Sequence, residues 1–296
     1  MTSLRDGLAR SLQARLARHA RSAGMDPNLV LTRYAVERFL YRLSRSPHAE
    51  RFVLKGALLL LVWLGGTLRP TRDADLLGTG DLSDEALVAI FREVCDIAVE
   101  ADGMAYASDS VRLEPIRAED DYGGQRVTLR ASMGAARLTV QVDIGIGDVV
   151  TPAPEWLEYP GLLDLPRPRL RAYPRETVIA EKLHAMEHLG LRNSRMKDYF
   201  DVHALLREGK IDEAQLAKAI AATFARRQTA WPDDMPQGLG DGFASDPTKK
   251  AQWQQFLARN RLDASPDLAQ IVAEIRDRIT EPLRQARQLR EGSEAQ

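Results

Sequence analysis

Arg69-Pro-Thr-Arg-Asp-Ala-Asp-Leu-Leu77, with the apolar run from Gly56 to Gly66 just ahead of it, is the stretch whose reading decides the fold. Asp73 and Asp75 are two residues apart. In an extended chain such residues point to the same face. Two carboxylates side by side repel each other unless a cation lies between them. Hard divalent ions such as Mg²⁺ (or Mn²⁺) take oxygen ligands, and paired ions can clamp an in-line phosphoryl displacement. For an isolated Asp-x-Asp after Pro70 and Thr71, a solvated turn is the ordinary explanation, so the weight falls on what accompanies the pair.

Asp143 is the first companion. Residues 137–146 alternate Leu138, Val140, Val142, Ile144 and Ile146 with polar residues, and residues 126–133 alternate in the same way. Gly134-Ala135-Ala136 joins the two runs as a hairpin. The apolar face belongs to a core, so Asp143 lies on the opposite face, in mid-strand, where a charge needs a partner or a purpose. A strand of about 72–77 carrying Asp73 and Asp75 beside it brings three carboxylates to one face, a Mg²⁺ geometry with room for substrate phosphates. Upstream, the run from Phe52 to Leu64 is apolar on all sides and reads as a buried helix, with Gly65-Gly66 as its stop. Its Gly56-Ala57 start suits phosphate approach to free N–H groups. Lys55, Thr71 and Arg72 lie close enough in sequence to contact a triphosphate.

Two further signals lie downstream. On a helix beginning at Pro174 and ending at Gly190, Lys182 falls inside the stripe of Val178, Ile179, Met186 and Leu189. Such a lysine either snorkels to water or serves as a point charge on phosphate. In Lys197-Asp198-Tyr199-Phe200-Asp201, the two aspartates share a helix face at i, i+3. Asp198 reads as a general base toward a hydroxyl or as the partner orienting Lys182, with Asp201 in support. Five histidines show no convincing ligand spacing.

The layout is α/β (α+β): a small mixed sheet with helices over 1–160, then an all-helical part over 161–296, with a Pro-rich connection near 151–174. Helices are expected at 2–22, from Asp26-Pro27 to Ser46, and at 84–101, 196–206, 212–226, 248–260 and 266–291; short strands are expected at 104–107 and 111–116. The tail after Arg290 reads as disordered. The formal net charge is −1, so no global field draws the chain to nucleic acid. Residues 1–51, however, hold ten arginines against four acids, a candidate phosphate contact. Cys95 is the only cysteine, which excludes an intrachain disulfide and a cysteine-cluster metal site. The N-terminus alternates Leu with Arg and has no secretory h-region, and no run is long enough to span a bilayer; the expected setting is the cytoplasm, with no membrane partner.

Taken in order, these blocks resemble the AbiEii/AbiGii-type nucleotidyltransferase toxins, which have the polymerase-β-like nucleotidyltransferase fold. The matching pieces are Leu54-Lys55-Gly56, the Asp73-Ala-Asp75 motif with its Arg-Pro-Thr-Arg lead, a strand with central Asp143, Glu181-Lys182-Leu183 and Lys197-Asp-Tyr-Phe-Asp201. Arg226-Arg227, Pro232, Pro236 and Gln252-Trp253 add to the likeness. Where the family often has Gly-Gly or Gly-Ser, this chain has Gly56-Ala57. The resemblance implies transfer of a nucleoside monophosphate from an NTP to an acceptor, with Mg²⁺. It also implies an RNA acceptor, notably a tRNA 3′ end, and a cognate antitoxin encoded nearby. Asp73 and Asp75 would then be metal ligands, with Lys182 and Asp198 the catalytic basic and acidic residues. Two other readings stand beside it: the same fold acting on a small molecule or protein side chain, and a catalytically silent binding protein.

Overall fold

The computed structural model describes residues 2–65, 69–116, 123–232, 234–262 and 266–294. Two helices open the chain, α1 (Thr2–Ser22) and α2 (Pro27–Arg45). Asp26 starts α2 by accepting the N–H groups of Asn28 and Leu29, with Pro27 pre-set for the first turn. There follow β1 (Phe52–Lys55), α3 (Leu58–Leu64), β2 (Ala74–Gly78) and α4 (Asp84–Asp96), the last capped by Ser83. Three long strands come next, β3 (Ala105–Ile116), β4 (Gly124–Met133) and β5 (Ala136–Ile146), then two short ones, β6 (Glu155–Glu158) and β7 (Arg169–Ala172). All seven form one mixed sheet in the order β3-β4-β5-β2-β1-β7-β6. β2 runs parallel to β5 and β1 parallel to β7; the other neighbours are antiparallel.

The apolar face of the sheet is lined by Val140, Val142 and Ile144 and is closed by aromatic packing. Phe39 of α2 stacks on Phe91 of α4 at 5.6 Å and meets Tyr106 of β3 edge-on at 5.5 Å. The polar face carries Gln141 and Asp143, as the alternation of β5 predicts.

Several expectations change. Phe52–Lys55 is a strand, not the start of a helix; it lies between β2 and β7, where burial of both faces removes the alternation that marks a strand. Gly56 then turns the chain at φ +73, and only Leu58–Leu64 is helical. Gly66, expected to stop that helix, lies outside the described residues. The two expected strands at 104–107 and 111–116 are one strand with an irregularity between Ala107 and Arg112. Residues 84–101 stop being helical at Asp96. The Pro-rich connection contains β6 and β7, so the sheet runs on to Ala172.

The chain falls into two compact units, Met1–Val62, Pro70–Gly147 and Glu155–Ala172 in the first, and Trp63–Arg69, Asp148–Pro154 and Tyr173–Gln296 in the second. The second consists of α5 (Arg175–Leu189), α6 (Met196–Glu208), α7 (Glu213–Arg226), α8 (Asp241–Ser245), α9 (Pro247–Asn260) and α10 (Leu268–Glu294), together with short 3₁₀ turns. α10 continues through Glu294, past the point where composition suggests disorder. Its core includes Tyr199 stacked on Phe243 and Phe224 on Trp231, both at 4.9 Å.

The arginine-rich N-terminus is partly structural. Arg38 and Arg42 are buried and both bind Asp102, Arg42 through two N–H groups. These two guanidinium groups are therefore not available to a polyanion. Among the described residues no helix is long and apolar enough to cross a membrane.

Candidate active site

Register places a row of charges across four strands of the first unit. Lys55 pairs with Asp75, Asp75 with Asp143, and Asp143 with Arg126. Residues paired in register share a face, so the row reads cation, acid, acid, cation. Asp73 stands just before β2, half-buried, on the same face as Asp75 by the two-residue spacing. Its Oδ1 accepts the hydroxyl of buried Thr71 at 2.9 Å, and its Oδ2 lies 3.5 Å from Gln141 Nε2. Gln141 also donates to Asp143 Oδ1 at 3.3 Å.

Gly56 is held to its identity by Asp75. A Cβ built at Gly56 would lie 2.0 Å from Asp75 Oδ2, and the backbone there has φ +73. Glycine thus lets the β1–α3 turn approach the carboxylate, a constraint distinct from the expected phosphate contact. Ala57 beside it is half-buried, Arg72 is exposed, and the Thr71 hydroxyl is engaged by Asp73 rather than facing outward.

Asp143, expected as a third metal ligand, is gripped by Arg126 instead, through Nε at 2.8 Å and Nη2 at 2.7 Å. Among the described residues no three Asp, Glu, His or Cys side chains stand ready around one point. Mg²⁺ commonly binds through one or two carboxylates, completing its shell with waters and substrate phosphates. Asp73 and Asp75, hard oxygen donors in a row with one formal negative charge in excess, fit such an ion; the paired Asp143 fits less well.

The second group lies in the second unit and is closed. Lys182 Nζ donates to Asp198 Oδ1 at 2.5 Å and stands 2.9 Å from Asp201 Oδ2. Arg69 forks onto Asp201 at 2.7 and 2.8 Å, and Arg195 Nε reaches Asp198 Oδ2 at 2.7 Å. Both aspartates are 0% exposed. Burial alone would raise the Asp198 carboxyl, but Lys182 and Arg195 outweigh it and hold the group down at about 2. Burial likewise opposes the Lys182 charge, yet Asp198 and Asp201 raise its pKa overall. Of the two expected roles, a general base needs a pKa near the working pH, whereas contact with the Lys182 ammonium is what the geometry gives. Lys197, on the same turn, is exposed and stands outside this cluster.

Arg69, Arg126, Gln141 and Arg195 are site neighbours that the sequence reading missed. Arg126 lies opposite Asp143 because the turn is the two residues Gly134-Ala135; the three-residue connection expected from the sequence would have put Val127 there. Arg69 opens the decisive motif, but nothing in the sequence ties it to a residue 132 positions away. His184 is engaged at both ring nitrogens, by Thr229 Oγ1 and Arg227 Nη1, and burial lowers its pKa to about 3.

At the level of class, a family profile identifies the chain as a nucleotidyl transferase. The profile, described as "Nucleotidyl transferase AbiEii toxin, Type IV TA system", matches residues 38–274. The chain belongs to this AbiEii toxin family. A search of curated proteins found no match. Among solved structures, a Helicobacter pylori protein provisionally described as a nucleotidyltransferase aligns at 18% identity, over 87% of this chain and 93% of that one, with a TM-score of 0.46. JHP933 from Helicobacter pylori aligns at 16% identity over 87% and 92%, with a TM-score of 0.47.

Proposed function

We propose that this protein transfers a nucleoside monophosphate from an NTP to the 3′ hydroxyl of an RNA, with tRNA the leading acceptor, as the toxin of a toxin–antitoxin pair. The observation that carries the reading is the in-register pair Asp75–Asp143 with Asp73 beside it, three carboxylates gathered on one face of the sheet. Family membership supports the reaction class.

Asp73 and Asp75 would hold Mg²⁺, which when bound supplies charge neutralisation at the phosphates. Thr71 and Gln141 fix the Asp73 carboxylate for that task. Lys182, kept protonated by its aspartates, acts as a standing positive charge toward phosphate and not as a proton donor. Asp198 and Asp201 hold its ammonium in place. The acceptor oxygen bonds to the α-phosphorus as the bond from that phosphorus to the bridging oxygen breaks. Pyrophosphate leaves with the electron pair, and the hydroxyl proton passes to solvent.

The test is incubation with each labelled NTP, Mg²⁺ and total tRNA. Label should reach the RNA 3′ end from at least one NTP and should disappear with Asp73→Asn. In cells, the wild type should arrest growth, and the product of a neighbouring reading frame should relieve the arrest. Folded wild-type protein that labels no RNA with any NTP overturns the reading.

A further inference from the structure

A cavity of about 450 Å³ opens in the second unit beside the first turn of α6. Its size falls within the range of small-ligand sites and suits one nucleotide. Four of its lining side chains are cationic, Arg69, Arg195, Lys197 and Arg259, and among the described residues none is acidic. Arg69 and Arg195 are held from behind by the buried Asp201 and Asp198. Lys197 and Arg259 are exposed, and among the described residues neither has a carboxylate within ion-pair distance.

The wall also contains Phe256, half-buried and fixed by neighbouring rings, Trp253 at 5.5 Å and Phe200 at 5.7 Å. Cations without acids around an immobilised aromatic ring suit a single nucleic-acid strand, whose phosphates need charge and whose bases need a stacking surface. A phosphoserine peptide would use the cations and leave the ring idle, and only a phosphotyrosine could engage both.

We propose that this cavity binds one nucleotide of the single-stranded end of the acceptor RNA, its phosphate on Arg195, Lys197 and Arg259 and its base against Phe256. The proposal rests on the transfer reading above and names where that acceptor is held. It also gives Asp198 and Asp201 a second task, since they anchor two of the cavity's arginines as well as Lys182.

The experiment follows fluorescence anisotropy of a labelled hexaribonucleotide of mixed sequence with a free 3′ hydroxyl, between about 50 and 200 mM salt. Lys197→Gln and Arg259→Gln should each weaken binding several-fold and reduce the logarithmic salt slope by about 0.7. Phe256→Ala should weaken binding by roughly five- to a hundredfold with little change in slope. Calorimetric affinity for Mg²⁺–ATP and the melting temperature should stay unchanged in the two surface variants. Unchanged RNA affinity in the Lys197→Gln/Arg259→Gln double variant overturns the proposal. So does a loss of ATP affinity with RNA affinity intact, which would place a free nucleotide in the cavity. So, too, does a phosphotyrosine peptide binding as tightly as the RNA. Failure of the transfer reading would show separately, as wild-type protein that transfers no label whatever its affinity for the hexaribonucleotide.

Discussion

On the sheet of the first unit, Asp73 and Asp75 are half-buried, and the row formed with Lys55, Asp143 and Arg126 carries one formal negative charge in excess. In the second unit, Asp198 and Asp201 are fully buried, and the cluster formed with Lys182, Arg69 and Arg195 carries one positive charge in excess. The same residue types thus give an acid-rich row and a cation-rich cluster among the described residues. The difference lies in burial and pairing. Removing one partner from a buried network leaves an unpaired charge in low dielectric, whereas a half-exposed carboxylate falls back on water. Mutations in the row should therefore act on chemistry, and mutations in the cluster on stability as well.

The largest effect is expected in the row. Asp73→Asn and Asp75→Asn should each lower nucleotidyl transfer by about 10³-fold or more, losing several kcal/mol of charge stabilisation, with little change in the urea midpoint. Equal losses of activity and stability would erase the contrast. The cluster should lose stability together with activity. Lys182→Met leaves Asp198 to Arg195 and Asp201 to Arg69 but strips each of a charged donor, and should cost about 1–3 kcal/mol by urea unfolding. The acid limb should report the same pair. With its pKa held at about 2, below the ordinary 3.8, Asp198 contributes stability that is complete above about pH 4 and is lost as pH falls toward 2. Asp198→Asn should flatten that limb.

Glu37 sharpens the comparison, because it is a buried acid with the opposite shift. Desolvation raises it from 4.5 to about 7 against the opposing Leu162 N–H bond and Arg38. Between those values the folded chain holds the proton that the unfolded chain has lost, so stability should fall as pH rises from about 4.5 to 7, by about 3 kcal/mol. Glu37→Gln should remove that slope. The smallest effect is expected at Arg126. Arg126→Gln frees the Asp143 carboxylate, so the half-saturating Mg²⁺ concentration should drop a few-fold in a transfer assay. A collapse of activity instead would mean that Arg126 serves the substrate directly.

Legibility in the sequence followed the same division. The β4–β5 hairpin could be read because each strand shows one face to the core and one to water, and because a glycine turn joins them. Phe52–Lys55 could not, since a strand buried on both faces carries no period. β6 and β7 are four residues each within a proline-rich stretch, too short for any pattern to stand out. In the row, alternation put Asp143 on the polar face of β5, whereas its pairing with Asp75 and Arg126 follows from strand order and a turn one residue shorter than expected. The cluster was half legible: helical spacing put Asp198 and Asp201 together and Lys182 in an apolar stripe. Arg69 and Arg195 depend on tertiary packing that leaves no local trace.

The central claim is that Asp73 and Asp75 hold the divalent ion on which NTP chemistry depends, and it is tested most directly by pyrophosphate release from Mg²⁺–NTP in the presence of total tRNA. Wild-type protein should release pyrophosphate with saturable dependence on Mg²⁺, and Asp75→Asn should reduce the rate by about three orders of magnitude while melting at the wild-type temperature. Pyrophosphate release by Asp75→Asn at the wild-type rate, or release by wild-type protein that is indifferent to a chelator, would contradict the account.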